Sequence, residues 1–333
     1  MTWATSGSQP RPRLGKKAYR KPGSARAMAR VLVDAPARLH LGFFPAPQGI
    51  GAAALSIHMP RLFVTMGEAT GVAVRGPEGT GVRETLDVLV NKLGIGPGAD
   101  VNVGAFIPRH QGLGSGSRLV LALGLGIVRL YDEEHDPMDL ARITGRARHS
   151  RAGVVTFLKG GLAVDPGVGE VRFGTVPPTW AFLLGLPGPG EGLSGEEEDE
   201  IMGSDWSGVP GPEDLGEKLL CAAKSGDIED FASAVSGMDE WTGRCFSRVQ
   251  GGKYTSPVIE EGVRLVREAG ALAAGQSSWG PAFYGLFPDA GSAKTAIPSV
   301  QSFLDQEKGQ VLLVFPDNRP ASITFVDMPD LGL

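Results

Sequence analysis

The sequence predicts an α+β protein of two domains. Three observations carry that expectation. The chain has 333 residues, more than one hydrophobic core usually supports. Strand-like and helix-like apolar patterns are mixed along it. It holds 49 Gly and 25 Pro yet is 42% hydrophobic, which implies many tight turns rather than disorder. The expected divisions are a basic tail over 1–30, an N-terminal domain over 31–175 and a C-terminal α+β domain over 176–333, with an acidic flexible segment over 187–216.

The tail carries eight Lys and Arg and no acid, among Ser, Gly and Pro, and reads as disordered. It has no apolar h-region for a secretory signal, although its composition admits a transit peptide. Regular structure begins at Val31. From residue 37 the chain alternates, with Ala37, Leu39 and Leu41 on one face and Arg38, His40 and Gly42 on the other. That pattern is either a ligand wall or an ordinary half-exposed strand. Strands are expected over 62–66, 71–75 and 101–107, and a helix over 81–93. Next comes Pro108-Arg109-His110-Gln111-Gly112-Leu113-Gly114-Ser115-Gly116-Ser117, which opens into the apolar stretch 118–130. A strand, a tight turn and a helix in that order leave backbone N–H groups free for phosphate oxygens. Close packing alone would also explain the glycines. The loop is neither Walker A, since Ser117 and Arg118 follow Gly116, nor the dinucleotide fingerprint.

Residues 138–149 look helical, and 154–164 extended or turn-linked through Gly160-Gly161. Residues 180–186 form a buried strand. The acidic run Glu196 to Glu200 is either a solvated flexible lid or a helix start with a repulsive face, with the solvated loop as the default. Helices are expected over 213–223, 228–236, 257–271 and 293–306, and strands over 311–315 and 322–326. A second glycine-rich turn, Gly275-Gln276-Ser277-Ser278-Trp279-Gly280-Pro281, is either a hairpin with a core Trp or a place where Gln276, Ser277 and Ser278 hydrogen-bond an anion while Trp279 stacks on a ring.

Charge placement favours a ligand. The chain is acidic overall, with 32 Lys and Arg against 37 Asp and Glu. Three long windows nevertheless lack acids: 35–67 with Arg38 and His40, 101–131 with Arg109, His110 and Arg118, and 140–164 with Arg146, His149 and Arg151. Brought together, they make a cationic cleft suited to a phosphorylated or carboxylated small molecule. Without its tail the chain carries 24 basic and 37 acidic residues, which argues against nucleic acid as partner. Cys221 and Cys245 are the only cysteines, too few for a disulfide framework or a thiolate metal site. No apolar run reaches the roughly 18 residues of a membrane span, so no membrane partner is expected and the location reads as cytoplasmic.

Pro108 to Ser117 resembles the phosphate-binding motif of the GHMP kinase superfamily. Pro36 to Phe44 and Gly275 to Gly285 resemble its first and third motifs. The implied fold joins a ribosomal S5 domain 2-like domain to a ferredoxin-like one. A finer likeness, to the β-ribofuranosylaminobenzene 5′-phosphate synthase family, rests on Ala37-Arg38-Leu39-His40-Leu41-Gly42, on Gly145 to Ser150 followed by Gly160-Gly161, on Gly192-Leu193-Ser194-Gly195 and on Gln276 to Pro281. Where mevalonate-type kinases carry Ser-Gly-x-Asp, with Asp as base, this chain reads Ser150-Arg151-Ala152-Gly153. It also departs there from the synthases' usual Ser-Gly-Ile-Gly.

The resemblance implies a decarboxylating transfer of phosphoribose from its 1-diphosphate to 4-aminobenzoate or 4-hydroxybenzoate, an early step towards a tetrahydromethanopterin-type carrier. It implies Mg²⁺ as cofactor, with the metal ligands unassigned, and a homodimer. The roles it suggests are phosphate binding by Gly112, Leu113, Gly114, Ser115, Gly116 and Ser117; catalysis by Arg38, His40 and Ser277; and substrate binding by Arg109, His110, Arg146, His149, Arg151, Gln276, Ser278 and Trp279. A small-molecule kinase using ATP at the same loop, or a silent phosphometabolite-binding relative, remain open alternatives.

Overall fold

The computed structural model describes residues 29–327 except 48, 78, 189–199 and 204–208. Most of the basic tail, the Gly192 to Gly195 motif and the run Glu196 to Asp199 lie outside the described residues.

The first sheet is built on two long antiparallel strands, β1 (Ala29–Ala46) and β2 (Gly49–Glu68). The far half of β2 pairs with β4 (Ala99–Ala105), which runs parallel to β3 (Val72–Arg75) across the crossover helix α1 (Gly79–Leu93). The near half of β2 pairs with β5 (Leu162–Asp165), whose other edge carries β6 (Arg172–Gly174). Between β4 and β5 run α2 (Ser115–Leu130), α3 (Pro137–Ile143) and α4 (Ala152–Lys159).

The second sheet is antiparallel, in the order β10-β7-β9-β8, from β7 (Ala181–Leu186), β8 (Ala273–Gln276), β9 (Phe283–Phe287) and β10 (Gln310–Val314). Helices α5 (Leu215–Ser225), α6 (Ile228–Gln250) and α7 (Pro257–Glu268) precede β8, and α8 (Ala290–Gln306) precedes β10. First, second, third and fourth strands thus lie in the order 4-1-3-2 with helices in the two crossovers, which is the ferredoxin-like arrangement. The chain then returns. β11 (Ser322–Asp327) pairs with β1 in the first sheet, so the segment expected to close the second domain completes the first. Ala29 and Arg30, assigned above to the tail, belong to β1, where Arg30 donates to Asp100 at 3.0 Å.

One apolar cluster joins the two halves, running from Leu39 and Leu41 of β1 and Leu121 of α2 to Phe231, Val235 and Met238 of α6. Helix α6 is 23 residues long, well beyond the expected 228–236. Gly237 and Gly243 lie beyond that expected end. In the fold they are places of close approach, where a Cβ would meet Leu215 Cδ2 at 2.8 Å and Lys253 Cγ at 2.5 Å. Gly42 has the same use: its φ of 142° and missing Cβ let Met238 come against β1. That helix covers the His40 end of the Arg38–His40–Gly42 face: His40 is only 3% exposed, while Arg38 stays half-buried.

Two further expectations change. Residues 154–164 are extended only from Leu162, in β5: α4 occupies 152–159, with Val154 and Phe157 turned into the core three residues apart, and Gly160-Gly161 makes the turn between helix and strand. The β-branched run Val154-Val155-Thr156 imitates a strand locally, and tertiary burial overrides it. The helix expected over 138–149 ends at Ile143, because Gly145 takes φ 74° and reverses the chain. The small-residue stretch 49–60, for which no strand was expected, forms half of β2.

Candidate functional site

Four of the helices start with a side-chain cap. Asp136, Asp227, Ser256 and Asp289 accept from backbone N–H groups at the starts of α3, α6, α7 and α8. Helix α2 differs. Its N-cap is Gly114, with φ 74°, no side-chain cap bond and no acidic residue in the first turn. The loop before it turns through left-handed residues at alternate positions, His110 (φ 56°), Gly112 (φ 76°) and Gly114. The first-turn N–H groups, on Ser115, Gly116 and Ser117, have the geometry and dipole that suit an anion.

Hydrogen bonds fix the loop in place. Arg38 N donates to Leu113 O at 3.0 Å. The Ser277 hydroxyl accepts from His40 N at 3.0 Å and donates to Gly112 O at 2.9 Å. Gly280 and Gly112 are in backbone contact: a Cβ on Gly280 would overlap Gly112 N, and one on Gly112 would overlap the Ser277 carbonyl oxygen. The two glycine-rich turns are therefore docked on each other and on β1.

Cations gather at this point. A Cβ on Gly114 would lie 3.2 Å from Arg38 Nε, and one on Gly153 would lie 3.5 Å from Arg38 Nη1, so the Arg38 guanidinium stands between the starts of α2 and α4. Arg146 reaches over Gly116, where a Cβ would meet its Nη2 at 2.8 Å. Arg118 lies beneath, fully buried. His40 is buried beside Phe43, ring centroids 4.5 Å apart. Burial and then the Arg38 charge hold its imidazole well below the usual histidine range, so it is neutral at pH 7. Its ring borders a small cleft, with Phe43, Thr242, Gln250, Lys253, Ser278 and Trp279 on the other walls. The space there, ≈ 20 Å³, holds about one water molecule.

Several expected ligand residues are engaged elsewhere. Ser277, expected to be catalytic, is fully buried with its hydroxyl committed to His40 and Gly112, so it positions the site rather than touching a ligand. Gln276 uses both ends of its amide, accepting from Thr255 N at 3.0 Å and donating to Ser278 O at 2.9 Å. Trp279 is 6% exposed and packs on Phe246 at 4.3 Å, the core-Trp alternative for that turn. Arg151 pairs with the buried Asp165 and donates to the carbonyls of Gly167 and Gly169, which ties α4 to the end of β5. Arg109 turns to Gly81 of α1 and to the Phe106 ring, 5.6 Å away. Leu113 is core, His110 is exposed and His149 is half-buried.

Sequence reading passed over two features. Arg118 was one cation of a window, yet it heads the uncharged apolar run 119–128 of α2, which was the available signal. Asp239, 6% exposed, accepts from Tyr254 Oη at 2.9 Å and Arg267 at 3.1 Å and pairs with Lys253 at 3.0 Å, building one wall of the cleft. Nothing local in the sequence joins those four residues. Among the described residues no group of three or more His, Cys, Asp or Glu could hold a metal. The donors at the start of α2 are N–H groups and guanidinium, which do not suit a protein-held Mg²⁺.

Fold and site together define a two-domain α+β protein in which a helix start without a side-chain cap is flanked by Arg38 and Arg146. Residues 81–161 match the family described as GHMP kinases N terminal domain, and residues 219–306 the GHMP kinases C terminal family, together about half of the chain. The chain belongs to the GHMP kinase family. It is similar to the beta-ribofuranosylphenol 5'-phosphate synthase of Methanothermobacter thermautotrophicus, 25% identical over 295 residues covering 77% of this chain and 88% of that protein. The protein of the same name from Archaeoglobus fulgidus is 26% identical over 285 residues, covering 75% and 86%. Among solved structures, homoserine kinase from Cytophaga hutchinsonii superposes with a TM-score of 0.64 at 15% identity, covering 91% of this chain and 99% of that one, a likeness of fold. No helix among the described residues is long and apolar enough to cross a membrane.

Proposed function

We propose that this chain joins 5-phosphoribosyl 1-diphosphate to a para-substituted benzoate, with loss of diphosphate and carbon dioxide. The bond from the anomeric carbon to the diphosphate oxygen breaks, and the ring carbon bearing the carboxylate bonds to the anomeric carbon. The ring–carboxylate bond then breaks, its electron pair restoring aromaticity as carbon dioxide leaves. One observation carries the reading. Gly153, at the position where the kinases' Ser-Gly-x-Asp motif supplies a base, stands against Arg38 in the first turn of α4. An alcohol acceptor needs a base. A ring carbon that expels carbon dioxide has no proton to give up there.

In this reading the start of α2, with Arg38 and Arg146, holds the diphosphate and stabilises the charge it gains on leaving. His40, neutral and buried beside Phe43, sits two residues from Arg38 on β1, and Ser277 keeps β1 and the loop in register. Mg²⁺ would arrive on the diphosphate as part of the substrate. The relatives' names specify a phenol product, which makes 4-hydroxybenzoate the first acceptor to assay and 4-aminobenzoate the second. A homodimer in the cytoplasm belongs to the same reading.

The test supplies each acid, labelled in its carboxyl carbon, with phosphoribosyl diphosphate and Mg²⁺. Labelled gas that appears only with phosphoribosyl diphosphate supports the proposal. No gas, with ATP converted to ADP in the presence of an alcohol, would replace it by the kinase reading.

A further inference from the structure

Arg118 sits in the first turn of α2 with no exposed surface. Its Nε donates to Pro36 O at 2.9 Å, its Nη1 to Gly153 O and its Nη2 to Thr156 Oγ1 at 3.0 Å. The guanidinium also lies 5.7 Å over the Phe157 ring. All three acceptors are neutral, and among the described residues no carboxylate pairs with it. A buried cation without an anion is costly. Burial, and then the charge of Arg38, pull its guanidinium down to about 9, which leaves it charged at neutral pH.

The three acceptors are not scattered. Pro36 is two residues before Arg38 on β1, and Gly153 and Thr156 belong to α4, whose first turn faces Arg38. Arg118 thus sits where β1, α2 and α4 converge under the candidate anion site. The guanidinium fork explains the three hydrogen bonds, which an amide with two N–H donors could meet only in part, but it does not explain a buried charge with no anion beside it. We infer that Arg118 is a positioning residue that acts on the anion through its charge: it tightens the binding of a diphosphate group over Gly114 without touching it. The counter-ion of this buried cation is the ligand.

This rests on the anion site of the proposed function but not on the decarboxylating chemistry, so the labelled-carboxyl assay can fail while this inference stands. The test titrates inorganic diphosphate and inorganic phosphate, at fixed ionic strength, into wild type, Arg118→Gln and Arg118→Met, with circular dichroism as a check on folding. Gln keeps two N–H donors for the three acceptors; Met is long and flexible and has none. A fixed charge acts in proportion to the charge of the ligand. Both variants should therefore lose at least tenfold in diphosphate affinity but only about threefold for phosphate, which carries roughly half the charge. A loss of twofold or less for diphosphate in a folded variant would overturn the inference. So would equal losses for the two anions, or Met far weaker than Gln, which would mark a hydrogen-bonding staple. Failure of both variants to fold would also make the residue a staple. Wild type that takes up no diphosphate would remove the anion site and the inference with it.

Discussion

Gly112→Ala and Gly114→Ala separate a glycine that makes room for backbone from one that faces a side chain. Both residues have left-handed backbones, φ 76° and 74°, so each alanine incurs about 1–2 kcal/mol of conformational strain. Their surroundings differ. A Cβ on Gly114 meets the Arg38 side chain, Nε at 3.2 Å and Cβ at 3.3 Å, close contacts that a shift of a few tenths of an ångström relieves. A Cβ on Gly112 would overlap the Ser277 carbonyl oxygen, with the carbonyl carbon at 3.0 Å. That is backbone within a turn that already packs Gly280 on Gly112, so relief means parting the two turns. The Ser277 bond to Gly112 O would break with them, adding about 1–3 kcal/mol for buried groups left unpaired. Gly114→Ala should cost about 1–2 kcal/mol and Gly112→Ala about 3–5 kcal/mol. Urea denaturation of both variants measures the difference. Equal midpoints would refute the docking of the two turns.

Three other expectations follow from named contacts. Arg151→Ala leaves the buried Asp165 carboxylate without its cation and should destabilise by about 3–5 kcal/mol, while the affinity for diphosphate in the folded fraction stays within threefold of wild type; a large affinity loss at unchanged stability would return Arg151 to the ligand. Ser277→Ala strands the buried His40 N–H at about 1–3 kcal/mol, and Ser277→Thr, which keeps the hydroxyl, should recover most of it in thermal melts. Burial lowers His40, and to a lesser degree His58, in the folded state, so both are neutral when folded and take up protons on unfolding. Stability should be level above about pH 7 and fall as the pH drops through the unfolded histidine value near 6.5. His40→Leu should flatten part of that slope in denaturation curves at pH 7.5, 6.5 and 5.5, and an unchanged slope would show that His40 is not the group.

The sequence by itself determined the local chemistry. The run Val101 to Leu130 defined a strand, a tight glycine-rich turn and a helix, because the glycines and the apolar stretch after them are written residue by residue; the positive φ of Gly112 and Gly114 belongs to the structure. The motifs at 36–44, 108–117 and 275–285 indicated the family for the same reason. Which residues point into the site was decided only in three dimensions. Arg38, Arg118, Arg146 and Arg151 look alike along the chain, since each is a cation in a window without acids. Their roles diverge according to whether a carboxylate, a carbonyl or a glycine lies within reach, and Asp165 claims Arg151 from fourteen positions away. Likewise, Ser277 and Ser278 are adjacent hydroxyls, but the first is closed off by His40 N and Gly112 O, groups more than 160 residues distant in sequence. Burial of His40 depended on α6, which runs to Gln250 and packs Met238 against Gly42 of β1. Local pattern determines what a segment can form, and partners brought together from distant parts of the chain determine which of its side chains remain available to a ligand.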